Sequence, residues 1–163
     1  MATAKEQLDI RDKLLDEYEK GIGLSTSAPP GEDTELESYL SMDRSAIESL
    51  SIEDCDTIAI RLSQFAFHIQ RSQNREQGRV TWAKSQINLT TATELQEYKG
   101  FGREEKLWQA IQGNEYALKV HQIQVYAEQR VNRLSFIASG LNNLAELIKS
   151  MKFNKMRAEK NEQ

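Results

Sequence analysis

The chain has 163 residues, with 21 Lys and Arg against 25 Asp and Glu, and is 39% hydrophobic but only 7% aromatic. This charge and aromatic content argue against a thick globular core and for an elongated helical body. One cysteine, Cys55, excludes an internal disulfide, and with His68 and His121 as the two histidines no zinc-ligand spacing arises.

The net charge of −4 conceals two unlike parts. Residues 1–60 carry 5 basic against 15 acidic side chains, a net of −10, whereas residues 61–163 carry 16 against 10, a net of +6. A long basic region favours a polyanionic partner, and an acidic arm ahead of it is placed to compete for the same surface.

The first twelve residues hold no continuous apolar run, which argues against a signal peptide or a membrane span and for a cytoplasmic protein. Leu8, Leu14, Leu15 and Tyr18 predict an amphipathic helix from about Ala4 to Lys20, ended by Gly21 and Gly23. Residues 21–35 collect both prolines with serine, glycine and acid and read as a mobile linker, so this helix is expected to be tethered rather than embedded. Leu36, Leu40, Ile47 and Leu50 predict one or two short helical turns. The expected division is therefore an acidic helix and linker over residues 1–50, then a helical hairpin domain over residues 51–163.

Ser51-Ile52-Glu53-Asp54 has the form of a capping box. Behind it, apolar residues recur in steps of three and four: Cys55, Ile58, Leu62, Phe65 or Ala66, Ile69, then Val80, Ala83, Ile87, Leu95 and Tyr98. This spacing predicts one helix of about 45 residues, with a polar gap at Gln73 and Glu76 and Gly78 close behind as a place to bend. Tyr98-Lys99-Gly100-Phe101-Gly102 reads as its cap and reversal. After a short segment over residues 103–112, Tyr116, Val120, Ile123, Ala127, Leu134, Ile137, Leu141, Leu144, Ile148 and Met151 predict a last helix from about Glu115 to Arg157, packed antiparallel on the first. The expected fold class is thus all-α, a long antiparallel coiled-coil-like hairpin.

The last helix carries a second apolar line, Leu118, Val125, Phe136, Gly140 and Leu147, on another face. A helix apolar on two sides needs a second partner. Self-association accounts for it, and so does the N-terminal helix folding back over that face.

Arg71, Arg75 and Arg79 form a four-residue ladder, joined on its face by Arg61, His68 and Trp82. Residues 61–93 hold five basic side chains and one acid, Glu76, so the ladder lacks nearby carboxylates in sequence. Arginines neutralise phosphates and an aromatic ring stacks on unpaired bases, which suits single-stranded nucleic acid. A solvated charged face with Trp82 buried on a neighbouring subunit explains the same pattern. Lys149, Lys152, Lys155, Arg157 and Lys160 form a second basic group, for which complementing a helix C-terminus is the simpler role. No nucleophile–base pair or phosphate loop emerges, so neither an enzyme nor a cofactor is expected.

The turn Tyr98-Lys99-Gly100-Phe101-Gly102, with Ala117-Leu118-Lys119-Val120 and Leu147-Ile148-Lys149-Ser150-Met151-Lys152-Phe153 at matching order and spacing, resembles the UvsY recombination mediators of T-even-type phages. The resemblance covers roughly residues 58–156. It implies a ring-like homo-oligomer in the host cytoplasm that binds single-stranded DNA, cooperates with the single-strand-binding protein and loads a RecA-type recombinase. That family carries basic residues just ahead of its glycine turn, whereas residues 85–97 here contain no Lys or Arg. DNA contact is then expected at Lys84 and the arginine ladder, or at Lys99 and Arg103 beyond the turn. The competing class is a structural or scaffolding coiled-coil protein of a viral assembly.

Overall fold

A computed structural model describes residues 2–24, 30, 31, 33–96 and 102–161. Every regular element among them is helical: α1 (Ala4–Gly21), α2 (Asp33–Leu40), α3 (Arg44–Ser49), α4 (Ile52–Thr91), a 3₁₀ turn (Glu94–Gln96), α5 (Arg103–Gly113), α6 (Glu115–Leu134) and α7 (Ile137–Asn161). No described helix is long and apolar enough to cross a membrane. The expected turn at residues 98–101, with Lys99, lies outside the described residues.

The chain divides into two compact units that cut across the segments 1–50 and 51–163: residues 1–26 with 73–133, and residues 27–72 with 134–163. The reason is that α4 contributes a stretch to each unit, and each also takes a piece of the acidic N-terminal segment.

In the first unit, α1 starts on a capping box in which the Thr3 hydroxyl accepts from the Glu6 amide and the Glu6 carboxylate accepts from the Thr3 amide at 2.7 Å. It ends where Gly23 takes φ 86° and the Leu24 amide reaches back to the Glu19 carbonyl at 2.9 Å. Ala4 and Leu8 are buried, so this helix is embedded and not merely tethered as its linker implied. Ala4 joins Ala83 and Ile87 of α4, Ile111 of α5 and Val120 of α6 in one core cluster. Contacts between α4 and α6 run in opposite chain order, Glu76 with Arg130, Lys84 with Glu128 and Gln86 with Tyr116.

In the second unit, Cys55, Ile58, Leu62, Phe65 and Ala66 of α4 pack with Ala138, Leu141, Ala145 and Ile148 of α7. Leu36 and Tyr39 of α2 and Ile47 of α3 close over this core. Ser51 begins α4 as its spacing predicted: the Asp54 amide donates to the Ser51 hydroxyl at 3.0 Å, and the Asp54 carboxylate accepts from the Ser51 amide at 3.3 Å.

Two helices are shorter than their periodicity implied. α4 runs unbroken past Gly78 but ends at Thr91, not Tyr98. The Thr90 and Thr91 hydroxyls there donate to the carbonyls of Gln86 and Ile87, each at 2.8 Å, and successive β-branched residues that bond back four positions weaken a helix at that point. The expected last helix is two helices, because Phe136 takes φ 68°, a left-handed conformation that no helix interior accommodates. The apolar rhythm continues through this break, which is why spacing alone runs the two together.

Candidate nucleic-acid interface

Arg75 and Arg79 project from α4 towards α1 and meet its acids. Arg79 donates from Nε and Nη2 to Oδ2 of Asp12 at 2.8 and 2.6 Å, and from Nη1 to Oε1 of Glu76 at 2.6 Å. Arg75 Nη2 donates to Asp16 at 2.7 Å. Arg130 of α6 reaches the other Glu76 oxygen at 2.8 Å as an ion pair outside hydrogen-bond alignment. Gly78 leaves room for the guanidinium of Arg11, whose Nη2 would stand 3.1 Å from a Cβ at that position.

The polar gap in the α4 stripe is therefore the seat of this network. Glu76 and Asp12 are buried, and the side chain of Arg79 is 23% exposed. Desolvation is the largest influence on the Arg79 guanidinium and favours its neutral form. The hydrogen bond to Asp12 and the charges of Glu76 and Asp12 together outweigh it and raise its pKa. Four cations, Arg11, Arg75, Arg79 and Arg130, thus face three carboxylates, Asp12, Asp16 and Glu76.

α1 sits on this network in an unusual sense. Asp12 and Asp16 turn inward to the arginines while Ile10, Leu14 and Tyr18, one turn apart, are exposed. Apart from Ala4 and Leu8 at its start, few of its apolar side chains are buried, so ion pairs provide much of its attachment.

Other expected contact residues are distributed differently. Arg61 and Arg71 belong to the second unit. Arg61 clamps α2 by donating to the Pro30 carbonyl at 2.7 Å and pairing with Glu35 at 3.2 Å, so it has a structural task. Arg71 lies 6.0 Å from the Phe67 ring centroid, within cation–π range. Trp82 packs partly buried against the core cluster of the first unit. Arg103 is exposed in the first turn of α5.

Lys84 is 57% exposed, pairs with Glu128 at 3.1 Å, and borders a groove with Trp108 and His121. Trp108 is 44% exposed, and its ring meets His121 edge-on at 5.4 Å. Sequence reasoning treated Trp108 only as an apolar residue of a short segment. The available signal was its position one turn from the glycine break, on a helix too short to cover an indole from both sides.

The second basic group does structural work. Lys152 donates to Asp56 at 2.5 Å, Lys155 to the carbonyls of Glu48 and Leu50 at the end of α3, and Lys149 to Glu146 at 2.8 Å. Lys155 complements the C-terminus of α3, while Lys160 stands in the last turn of α7 and complements that of its own helix, as expected.

Among the apolar face residues, Leu118 packs against the core cluster containing Ala4 and is not available as free surface, and Val125 is half-buried. Phe136 and Leu147 are 87% and 53% exposed, and nothing lies within 4 Å of a Cβ placed on Gly140. Among the described residues no group of His, Cys, Asp and Glu could hold a metal ion. No protein family, curated protein or solved structure matches the chain.

Proposed function

We propose that the protein is a single-stranded DNA-binding recombination mediator, a binding protein and not an enzyme, that helps load a RecA-type recombinase onto DNA coated with single-strand-binding protein. The observation that carries this reading is the pairing of Arg75 and Arg79 with carboxylates of a separate helix, α1. A carboxylate and a phosphate present the same planar or forked acceptors to a guanidinium, so a surface that holds Asp12 and Asp16 can exchange them for a DNA backbone. The resemblance to the UvsY mediators supplies the recombinase and the single-strand-binding protein as partners. In this reading α4 and the α6–α7 stretch form an antiparallel hairpin that assembles into a homo-oligomeric ring through Phe136, Gly140 and Leu147.

A scaffolding role is the second reading, favoured by the exposed Phe136, Leu147 and Phe153. The two separate on one variant. Replacing Arg71, Arg75 and Arg79 with alanine, with Asp12→Asn and Asp16→Asn to leave no orphaned carboxylate, abolishes oligonucleotide binding at unchanged oligomer mass in a mediator. A scaffold would lose assembly instead.

A further inference from the structure

Helices α4, α5 and α6 line an open groove of about 390 Å³ within the first unit, with Ile87, Trp108, Ile111 and His121 among its walls. No residue of α1 lines it, so it stays open while α1 covers Arg75 and Arg79. Its floor is apolar, with Ile87 and Ile111 buried. One wall is the half-exposed indole of Trp108, braced on one side by the edge-on His121 ring at an interplanar angle of 70°.

The rim is polar and chemically specific. Asn88 offers both a donor and an acceptor. Gln124 donates its amide to Glu128 at 3.1 Å, which leaves its carbonyl oxygen as an acceptor. Glu104 adds a carboxylate acceptor. Among the described lining residues the single cation, Lys84, is balanced by Glu128 and outnumbered once Glu104 is counted, which does not suit a phosphate inside the groove. An apolar floor, an aromatic wall and mixed donors and acceptors suit an uncharged planar heterocycle. Lys84 is largely exposed, its pair with Glu128 is of the weakly held kind, and it can turn outward to an adjoining phosphate.

The geometry points to this groove as a subsite for one unpaired nucleobase, stacked on Trp108, edge-read by Asn88, Gln124 and Glu104, with its phosphate at Lys84. This rests on the single-strand reading above and adds a base-dependent contact to its backbone-dependent one. Glu104 favours bases with an exocyclic amine, so cytosine is the probe.

The test compares the full chain binding labelled oligodeoxycytidylate with an abasic strand of equal length at low salt. The base-bearing strand binds on the order of tenfold more tightly. Trp108→Ala removes that preference and leaves abasic binding unchanged, while Trp108→Phe keeps most of it. In a Trp82→Phe chain, the base-bearing strand quenches the remaining indole emission and the abasic strand does not, a readout that needs no change at Trp108. Equal binding of both strands by the unaltered chain, or a preference that survives Trp108→Ala as a protein-docking groove would allow, overturns the subsite while backbone binding stands. Binding of neither strand overturns the single-strand reading itself.

Discussion

The Asp12 carboxylate accepts two hydrogen bonds from Arg79, at 2.8 and 2.6 Å, across a separation of 67 residues. It joins the N-terminal helix to the basic ladder, in a site where both side chains are largely out of water. Asp16 repeats the contact one helical turn on with Arg75. Two acids of α1 thus occupy two arginines of the ladder, and under the proposed function they compete there with a nucleic-acid backbone.

Asp12→Asn with Asp16→Asn is expected to tighten oligonucleotide binding at low salt several-fold, because the arginines no longer carry bound carboxylates. The same pair of changes loosens α1, at a cost of roughly 1.5–3 kcal/mol for the charged contact at Asp12. Anisotropy titration and chemical denaturation check the two effects. Unchanged or weaker binding would remove α1 as a competitor.

Much of this arrangement was legible in the sequence, and what was not has a physical cause. The steps of three and four placed Leu62, Ile87, Leu141 and Ile148 in the core, and Ser51-Ile52-Glu53-Asp54 marked the start of α4. The α1 boundaries followed from the spacing of Leu8, Leu14, Leu15 and Tyr18 and from the glycines to within about a residue. The Arg79–Asp12 pair did not, since no local pattern says which acid a distant arginine meets; charge balance hinted only that the two parts would attract. The partial burial of Trp82 was not legible, because a helical wheel drawn on α4 alone ignores the neighbours that pack against it. The break at Phe136 was invisible because its cause is a backbone angle, in a stretch where the apolar rhythm does not change.

Phe136 holds φ 68° with a bulky, 87% exposed side chain, a conformation that costs a non-glycine residue about 1 kcal/mol or more. Phe136→Gly should therefore raise the stability of the isolated chain by about that amount in denaturant titration. Under the self-association reading the same substitution lowers oligomer mass at a given concentration, since it removes an exposed aromatic from the contact.

Leu147→Asp places a charge on the exposed apolar face of α7 and should shift the mass in solution towards a smaller species without loss of helix content. Light scattering and circular dichroism follow it. Leu62→Ala, at a fully buried position, acts on the fold instead, costing about 2–5 kcal/mol.

The Glu128 carboxylate is held below its ordinary pKa, first by the hydrogen bond from Gln124, against some desolvation, and then by Lys84. A lowered folded value means that its contribution to stability is complete above the ordinary carboxylate pKa and is lost as pH falls through the lowered one. Gln124→Ala should move the Glu128 titration upward, towards the ordinary value, in a side-chain NMR titration. An unmoved titration would show that Gln124 does not hold the carboxylate.

The central claim is that the basic face of α4 takes a single-stranded DNA backbone in place of the acids of α1. Fluorescence anisotropy of the full chain with a labelled oligonucleotide, across a salt series, tests it most directly. The account predicts binding at low salt that weakens steeply as salt rises, since each phosphate contact releases counterions. No binding at low salt, or binding indifferent to salt, would contradict it.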